Sequence, residues 1–225
     1  MTDRNRRPGR RPKTSTADVV ECALGIIDSE GIEGLSMRRL GKALSVDPMA
    51  IYNYVSGKPE LLDAVVDRVM ADVDLSVDDA SAMWQERVRR VAGAYRDALL
   101  AHPNVLPVIA SGRARMFGGL GPADTLLSIF EAAGVPRSKW LVAMNAFSSW
   151  ILGSTLMEMT AGEGAARVIV DWAANAPADR YPHVAIAIAT HASSESDEYF
   201  RYGVISLIGG LSAVAKANGG KRATA

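Results

Sequence analysis

Between Ser15 and Val55 the chain carries three helix-length stretches divided by short, well-marked breaks, and no fold can ignore that spacing. Ser15 or Thr16 can cap the first stretch, in which Val20, Leu24 and Ile27 recur at spacings of four and three before Gly31 ends it. Ser36 caps a second helix over 36–43, with Met37, Leu40 and Leu44 on its inner face. After a tight connection at Ser45–Asp47, Pro48 occupies a position where a first helical turn tolerates proline. The spacing predicts a third helix over 48–55 that turns Ile51 and Val55 inward. Gly57 breaks it, and Pro59 starts a longer helix bearing Leu61, Leu62, Val65, Val66, Val69 and Met70.

Beyond Asp74 the pattern lengthens. A polar connection at Ser76–Ser81 leads to long helices near 82–101, 121–134, 138–160 and 195–216, with shorter helical pieces at 105–111 and 183–191. His102–Pro103 stops the first of them, because a residue before proline avoids the helical region. Thr160–Gly164 and Asn175–Pro182 read as loops, and only Val184–Ala189 is ambiguous between helix and strand. The expected fold class is therefore all-α. A basic arm over 1–15 precedes a three-helix helix-turn-helix domain over 16–62 and a larger helical body over 63–225. From Trp140 to Met157 there are 18 consecutive uncharged residues, at the lower limit for a membrane span. Asn145, Ser148, Ser149, Ser154 and Thr155 interrupt the run, so it reads as a buried helix of a soluble bundle. No apolar stretch follows the basic arm, so no secretory signal is expected and the cytoplasm is the default compartment.

Formal net charge is zero, with 25 basic and 25 acidic side chains, but the distribution is uneven. Arg4, Arg6, Arg7, Arg10, Arg11 and Lys13 stand against Asp3 alone within the first 15 residues. A basic tip on a balanced protein is a nucleic-acid signature. In a helix-turn-helix the second helix of the pair enters the major groove, and here its outward positions are Met49, Ala50, Tyr52, Asn53 and Tyr54. Tyrosine hydroxyls suit phosphate oxygens, and Met or Ala suits a thymine methyl group. The competing reading is that Tyr52 and Tyr54 pack against the first and fourth helices.

The runs Leu35-Ser-Met-Arg-Arg-Leu40, Ala43-Leu-Ser-Val46, Ala50-Ile-Tyr-Asn-Tyr-Val55 and Lys58-Pro-Glu-Leu-Leu-Asp63 resemble the N-terminal domain of TetR-family transcriptional repressors. Trp84, Tyr95-Arg-Asp-Ala-Leu-Leu100, Ala133-Gly-Val135 and Leu152-Gly153 are similar to the tetracycline-repressor-like C-terminal domain. The resemblance implies that Arg38 reaches a base edge or phosphate. It implies that Met49 and Ala50 read bases, that Tyr52 and Tyr54 touch the backbone, and that Lys58 holds a phosphate at the start of the fourth helix. It also implies a homodimer on a palindromic DNA operator, formed through the helices near 138–160 and 195–216. The charge-free run from Gly203 to Ala215, with Gly209, Gly210, Ser212 and Ala213, permits close helix approach there. A minor-groove or phosphate contact by Arg6–Lys13 is a further possibility.

The same resemblance makes the body a sensor for a small molecule. Candidate pocket residues are Tyr95, Ile109, Phe117, Met144, Asn145, Phe147, Ser149, Trp150 and Met157, with Asn145 the sharpest choice because a buried amide needs partners. The tetracycline repressor holds its drug through histidines and magnesium, whereas the aligned positions here carry Asp74, Ile109, Ser149 and Met157. An apolar or aromatic effector is therefore expected rather than tetracycline–magnesium. His102, His183 and His191 read as capping or surface histidines, and no metal or cofactor is expected. Cys22, the single cysteine, lies within an apolar helical pattern. No nucleophile elbow, phosphate-cradling loop or metal-ligand spacing supports an enzyme. An activator of the same fold and a helical protein-interaction module are the alternatives to a repressor.

Overall fold

The computed structural model of the protein describes residues 14–111, 120–160, 177–190 and 196–222. Among these residues every regular element is helical, and Val184–Ala189 lies inside a helix. The chain divides into two compact units, with the border between Val65 and Val66.

The first unit is built by α1 (Thr16–Gly34), α2 (Met37–Leu44), α3 (Pro48–Ile51) and the opening of α4 (Lys58–Ala71). Ser15 and Asp18 cap α1 reciprocally: the Asp18 amide donates to Ser15 Oγ at 3.2 Å, and the Ser15 amide donates to Asp18 Oδ2 at 2.8 Å. Gly31 breaks the helix where expected, at φ 72°, but one more turn reaches Gly34. Ser36 caps α2, and Ser45 closes it in the left-handed conformation at φ 56°. Val19, Ala23, Ile27, Leu35, Leu40, Ile51, Val55 and Leu61 make the unit's core. Each Val, Leu or Ile side chain among them contributes about 1.5–3 kcal/mol by leaving water.

The third helix departs from the expected span of 48–55. Only Pro48–Ile51 is regular α-helix, and Tyr52 to Val55 continue as hydrogen-bonded turns. Amides of Tyr52, Asn53 and Tyr54 reach back three residues, to Met49, Ala50 and Ile51, at 2.9–3.3 Å. That tighter winding is common at helix ends.

In the second unit α4 finishes and is followed by α5 (Trp84–Ala101), α6 (Leu106–Ala110), α7 (Leu120–Ala132), α8 (Trp140–Thr160), α9 (Pro182–Thr190) and α10 (Ser196–Arg222). Val88, Val91, Leu106, Leu126, Ile129, Phe130 and Ile151 form its center. Two arginines fasten α5. Arg87 forms a fork with Asp78 at 2.7 and 2.8 Å and donates to Ser128 Oγ at 2.9 Å. Arg96 forms another with Glu158 at 2.6 and 2.8 Å, meets Asp197 at 2.8 Å, and lies 4.8 Å over the Phe200 ring. Arg96 thereby ties α5 to α8 and α10. No described helix is long and apolar enough to cross a membrane.

Candidate nucleic-acid interface and effector site

The turn between α2 and α3 is held by an unusually close backbone approach. A Cβ placed on Gly41 would stand 3.1 Å from Pro48 Cα, Pro48 N and Val46 O, so any side chain there would push the α2–α3 turn open by a few tenths of an ångström. The Val46 amide donates to Gly41 O at 2.9 Å across the same turn. Asp47 then caps α3 by accepting from the Met49 amide at 2.8 Å. Sequence reasoning passed over Gly41, although a glycine seven residues before the proline is a visible signal.

The face so positioned carries most of the expected contact residues. Met49 is 71% exposed and Tyr52 46%, and Asn53 is exposed as well. Ala50 and Tyr54 are half-buried rather than fully outward. The two neighboring arginines of α2 separate in role. Arg39 pairs with Glu30 of α1 at 2.5 Å, which holds the Glu30 carboxyl below its ordinary range, whereas Arg38 is exposed. Successive side chains on a helix point about 100° apart, so one can brace α1 while the other faces solvent.

Lys58 is placed differently from the expectation. Its side chain is half-buried, and its ammonium donates to Leu35 O at 2.8 Å and to Ile32 O at 3.2 Å, both at the far end of α1. At the start of α4, Ser56 holds the Glu60 carboxyl below its usual range, first through its side chain and then through its amide, which donates to Glu60 Oε2 at 2.6 Å. A carboxylate already answers the positive end of that helix. The basic residues of the arm up to Lys13 lie outside the described residues.

In the second unit the candidate effector residues scatter. Tyr95 and Ile109 are buried, each 3% exposed, and Met144 is half-buried. Phe117 lies outside the described residues. Asn145 and Ser149 are exposed, and Met157 is 67% exposed, so these three do not converge on the interior with Tyr95. The inward face of α8 is instead Phe147, Ser148, Ile151 and Thr155. Because α8 is uncharged on every side from Trp140 to Met157, its pattern does not show which face is buried. Trp150 is half-buried against α10, 5.4 Å from the Phe200 ring, and a Cβ on Gly203 would fall 1.8 Å from its indole. A groove of about 520 Å³ runs beside it between α8 and α10, lined by Val142, Ala143, Ala146, Phe147, Leu207 and Leu211 among others.

Tyr95 is the one polar group in this set with unmet chemistry. Its ring meets Phe147 edge-to-face at 6.2 Å, and its buried hydroxyl has no hydrogen-bond partner among the described residues. Burial pushes that hydroxyl up to about 12, so it stays a neutral donor at physiological pH. His102 is the C-cap residue of α5, with Nε2 3.6 Å from Asp72, and His183 is exposed; His191 lies outside the described residues. Among the described residues no group of three or more His, Cys, Asp or Glu side chains is placed to hold a metal ion.

Residues 78–215, spanning α5 to α10, match the tetracyclin repressor-like, C-terminal domain. The chain belongs to the TetR family. TetR-family membership makes it a transcriptional regulator with a helix-turn-helix and a regulatory C-terminal domain, not an enzyme. It is 29% identical to the HTH-type transcriptional repressor DrrR1 of Streptomyces coeruleorubidus, over 99% of this chain and 87% of that one. Its fold is similar to that of the Streptomyces coelicolor TetR-family protein ActR in complex with actinorhodin, with a TM-score of 0.79 and 25% identity over 91% of this chain and 99% of that one. It is also similar to BioQ bound to its natural double-stranded DNA operator, with a TM-score of 0.62 and 28% identity over 89% and 99% of the two chains.

Proposed function

We propose that this TetR-family protein is a cytoplasmic repressor that binds an inverted-repeat operator as a homodimer and is released by a small apolar or aromatic effector. The observation that carries the DNA half is the exposed face of the α2–α3 pair, where Arg38, Met49, Tyr52 and Asn53 stand clear of the core on a turn braced by Gly41. Arg38 supplies a fork for guanine, Met49 and Ala50 supply apolar contacts for thymine methyl groups, and Tyr52, Asn53 and Tyr54 supply polar groups for the backbone. BioQ, whose fold is similar, is solved on its operator. One such face spans only a few base pairs, so two copies related by a two-fold axis are required for a long site.

In this reading the second copy packs against α8 and α10. Leu141 and Val142 of α8 and Tyr202 and Ile205 of α10 are 58–74% exposed, an apolar surface that association would cover. The effector half rests on Tyr95, whose unpartnered buried hydroxyl asks for an acceptor. ActR is solved with actinorhodin and with (S)-DNPA; for this chain, an aromatic ligand carrying an oxygen acceptor suits the Tyr95 hydroxyl and the Phe147 ring. Ligand that favors a spread arrangement of the two reading heads lowers operator affinity by linkage.

Selection of bound duplexes from a random pool, at about 0.15 M salt where phosphate contacts alone bind weakly, tests the proposal. An enriched inverted repeat is the expected product. A pool that stays unenriched with folded, dimeric protein would remove the operator-binding reading.

A further inference from the structure

We infer that Lys58 is a positioning residue: its ammonium staples the end of α1 to the start of α4, and it supports DNA binding through the placement of α2 rather than through a phosphate. The last carbonyls of a helix have no partner within it, and a cation beside them is favorable. Lys58 Nζ meets two carbonyls at this end, Ile32 O at 3.2 Å and Leu35 O at 2.8 Å. Leu35 is only 2% exposed, so water has little access to replace the lysine on its carbonyl. Leu35 directly precedes Ser36, the cap of α2, and α2 carries Arg38. A shift of Leu35 is therefore a shift of the whole reading element.

Two further observations set this use against a phosphate contact. The helix start that Lys58 opens is already occupied by Glu60, whose carboxylate accepts the Ser56 amide at 2.6 Å and would repel an approaching phosphate. The lysine side chain is half-buried, while the neighboring Met49, Tyr52 and Asn53 are exposed. Its reach is thus turned into the unit and not along the exposed face.

The inference rests on the DNA-binding reading for one of its two readouts only. The full-length protein would be compared with Lys58→Met, which keeps the stem and removes the ammonium, and Lys58→Arg, which keeps the charge. Thermal unfolding comes first: Lys58→Met is expected to melt about 3–6 °C lower. An unchanged melting temperature overturns the staple by itself. Binding to a mixed-sequence duplex of about 30 base pairs is then followed by fluorescence anisotropy across a salt series. Losing one phosphate contact reduces the slope of log affinity against log salt by about 0.9. The staple predicts instead a roughly tenfold loss at every salt concentration with the slope unchanged. Arginine serves a phosphate at least as well as lysine but replaces a compact ammonium with a wide planar fork. Lys58→Arg should therefore fail to restore either property. Full recovery of affinity in Lys58→Arg, or a slope lowered by about 0.9, would make Lys58 a phosphate ligand. A wild-type chain that binds no duplex at all would sink the DNA-binding reading and leave the melting comparison to decide the staple.

Discussion

Three single residues concentrate the chemistry. Arg38 is exposed while its neighbor Arg39 pairs with Glu30, so of the two it is Arg38 that the proposed base contact uses. Arg38→Ala should weaken the selected operator by about 1–3 kcal/mol and relax preference at one position, measured by competition among single-base operator variants. Equal weakening of all variants would make it a backbone contact. Gly41 faces backbone atoms at 3.1 Å, and backbone cannot step aside as a flexible side chain can. Gly41→Ala should cost about 1–3 kcal/mol in urea unfolding. Gly25→Ala is the control, because open space surrounds that position on α1 and alanine there should add about 0.5–1 kcal/mol. Tyr95→Phe keeps the ring on Phe147 and removes only the hydroxyl. Since an unsatisfied buried hydroxyl costs about 1–3 kcal/mol, the variant should be as stable as the parent or more so. A loss of stability beyond about 1 kcal/mol would show that the hydroxyl has a partner in the free protein.

At the scale of elements, the caps and breakers decided where helices begin and end. Ser15, Ser36, Pro48 and Gly31 act locally, within a turn of their own position, and the helices of the first unit start and stop close to the positions those residues mark. The third helix is the exception: it is regular only over Pro48–Ile51, and the amides of Tyr52, Asn53 and Tyr54 reach back three residues instead of four. How helices meet is a different matter. The Trp150 indole occupies the space a Cβ at Gly203 of α10 would take, so any larger residue there displaces it. Gly203→Ala should force the ring out of its place between α8 and α10, costing about 1–3 kcal/mol in thermal or urea unfolding. Unchanged stability would mean that the indole moves freely. Arg96 joins the same two helices to α5, so the region around Trp150 is locked by charge as well as by shape.

For the whole molecule, the proposed dimer makes the most exacting demand. Val142 and Ile205 are 63% and 58% exposed, so packing among the described residues accounts for neither apolar side chain. Ile205→Glu should leave the protomer folded, because the side chain is outside the core, while shifting sedimentation from dimer to monomer. Operator affinity should then fall on the order of 100-fold or more, since the two half-sites would no longer be held together. A dimer that persists in Ile205→Glu would place the interface elsewhere.

What the sequence determined by itself was everything that depends on neighbors along the chain. Helix starts and stops, the tight turn before Pro48, the basic start of the chain and the family signature around Tyr52 and Lys58 are local, and they were legible. What the tertiary structure decided was which side of each element faces inward and which partner each polar group takes. The family resemblance points Asn145, Ser149 and Met157 at an effector, and the uncharged α8 offers no periodicity to set against that; its packing turns Phe147 and Ile151 inward instead. Lys58 reads as a cation at a helix start until the end of α1, more than 20 residues earlier, places two carbonyls around it. Periodicity reports that a helix has a face to bury. It does not carry the direction from which the neighboring helix will arrive.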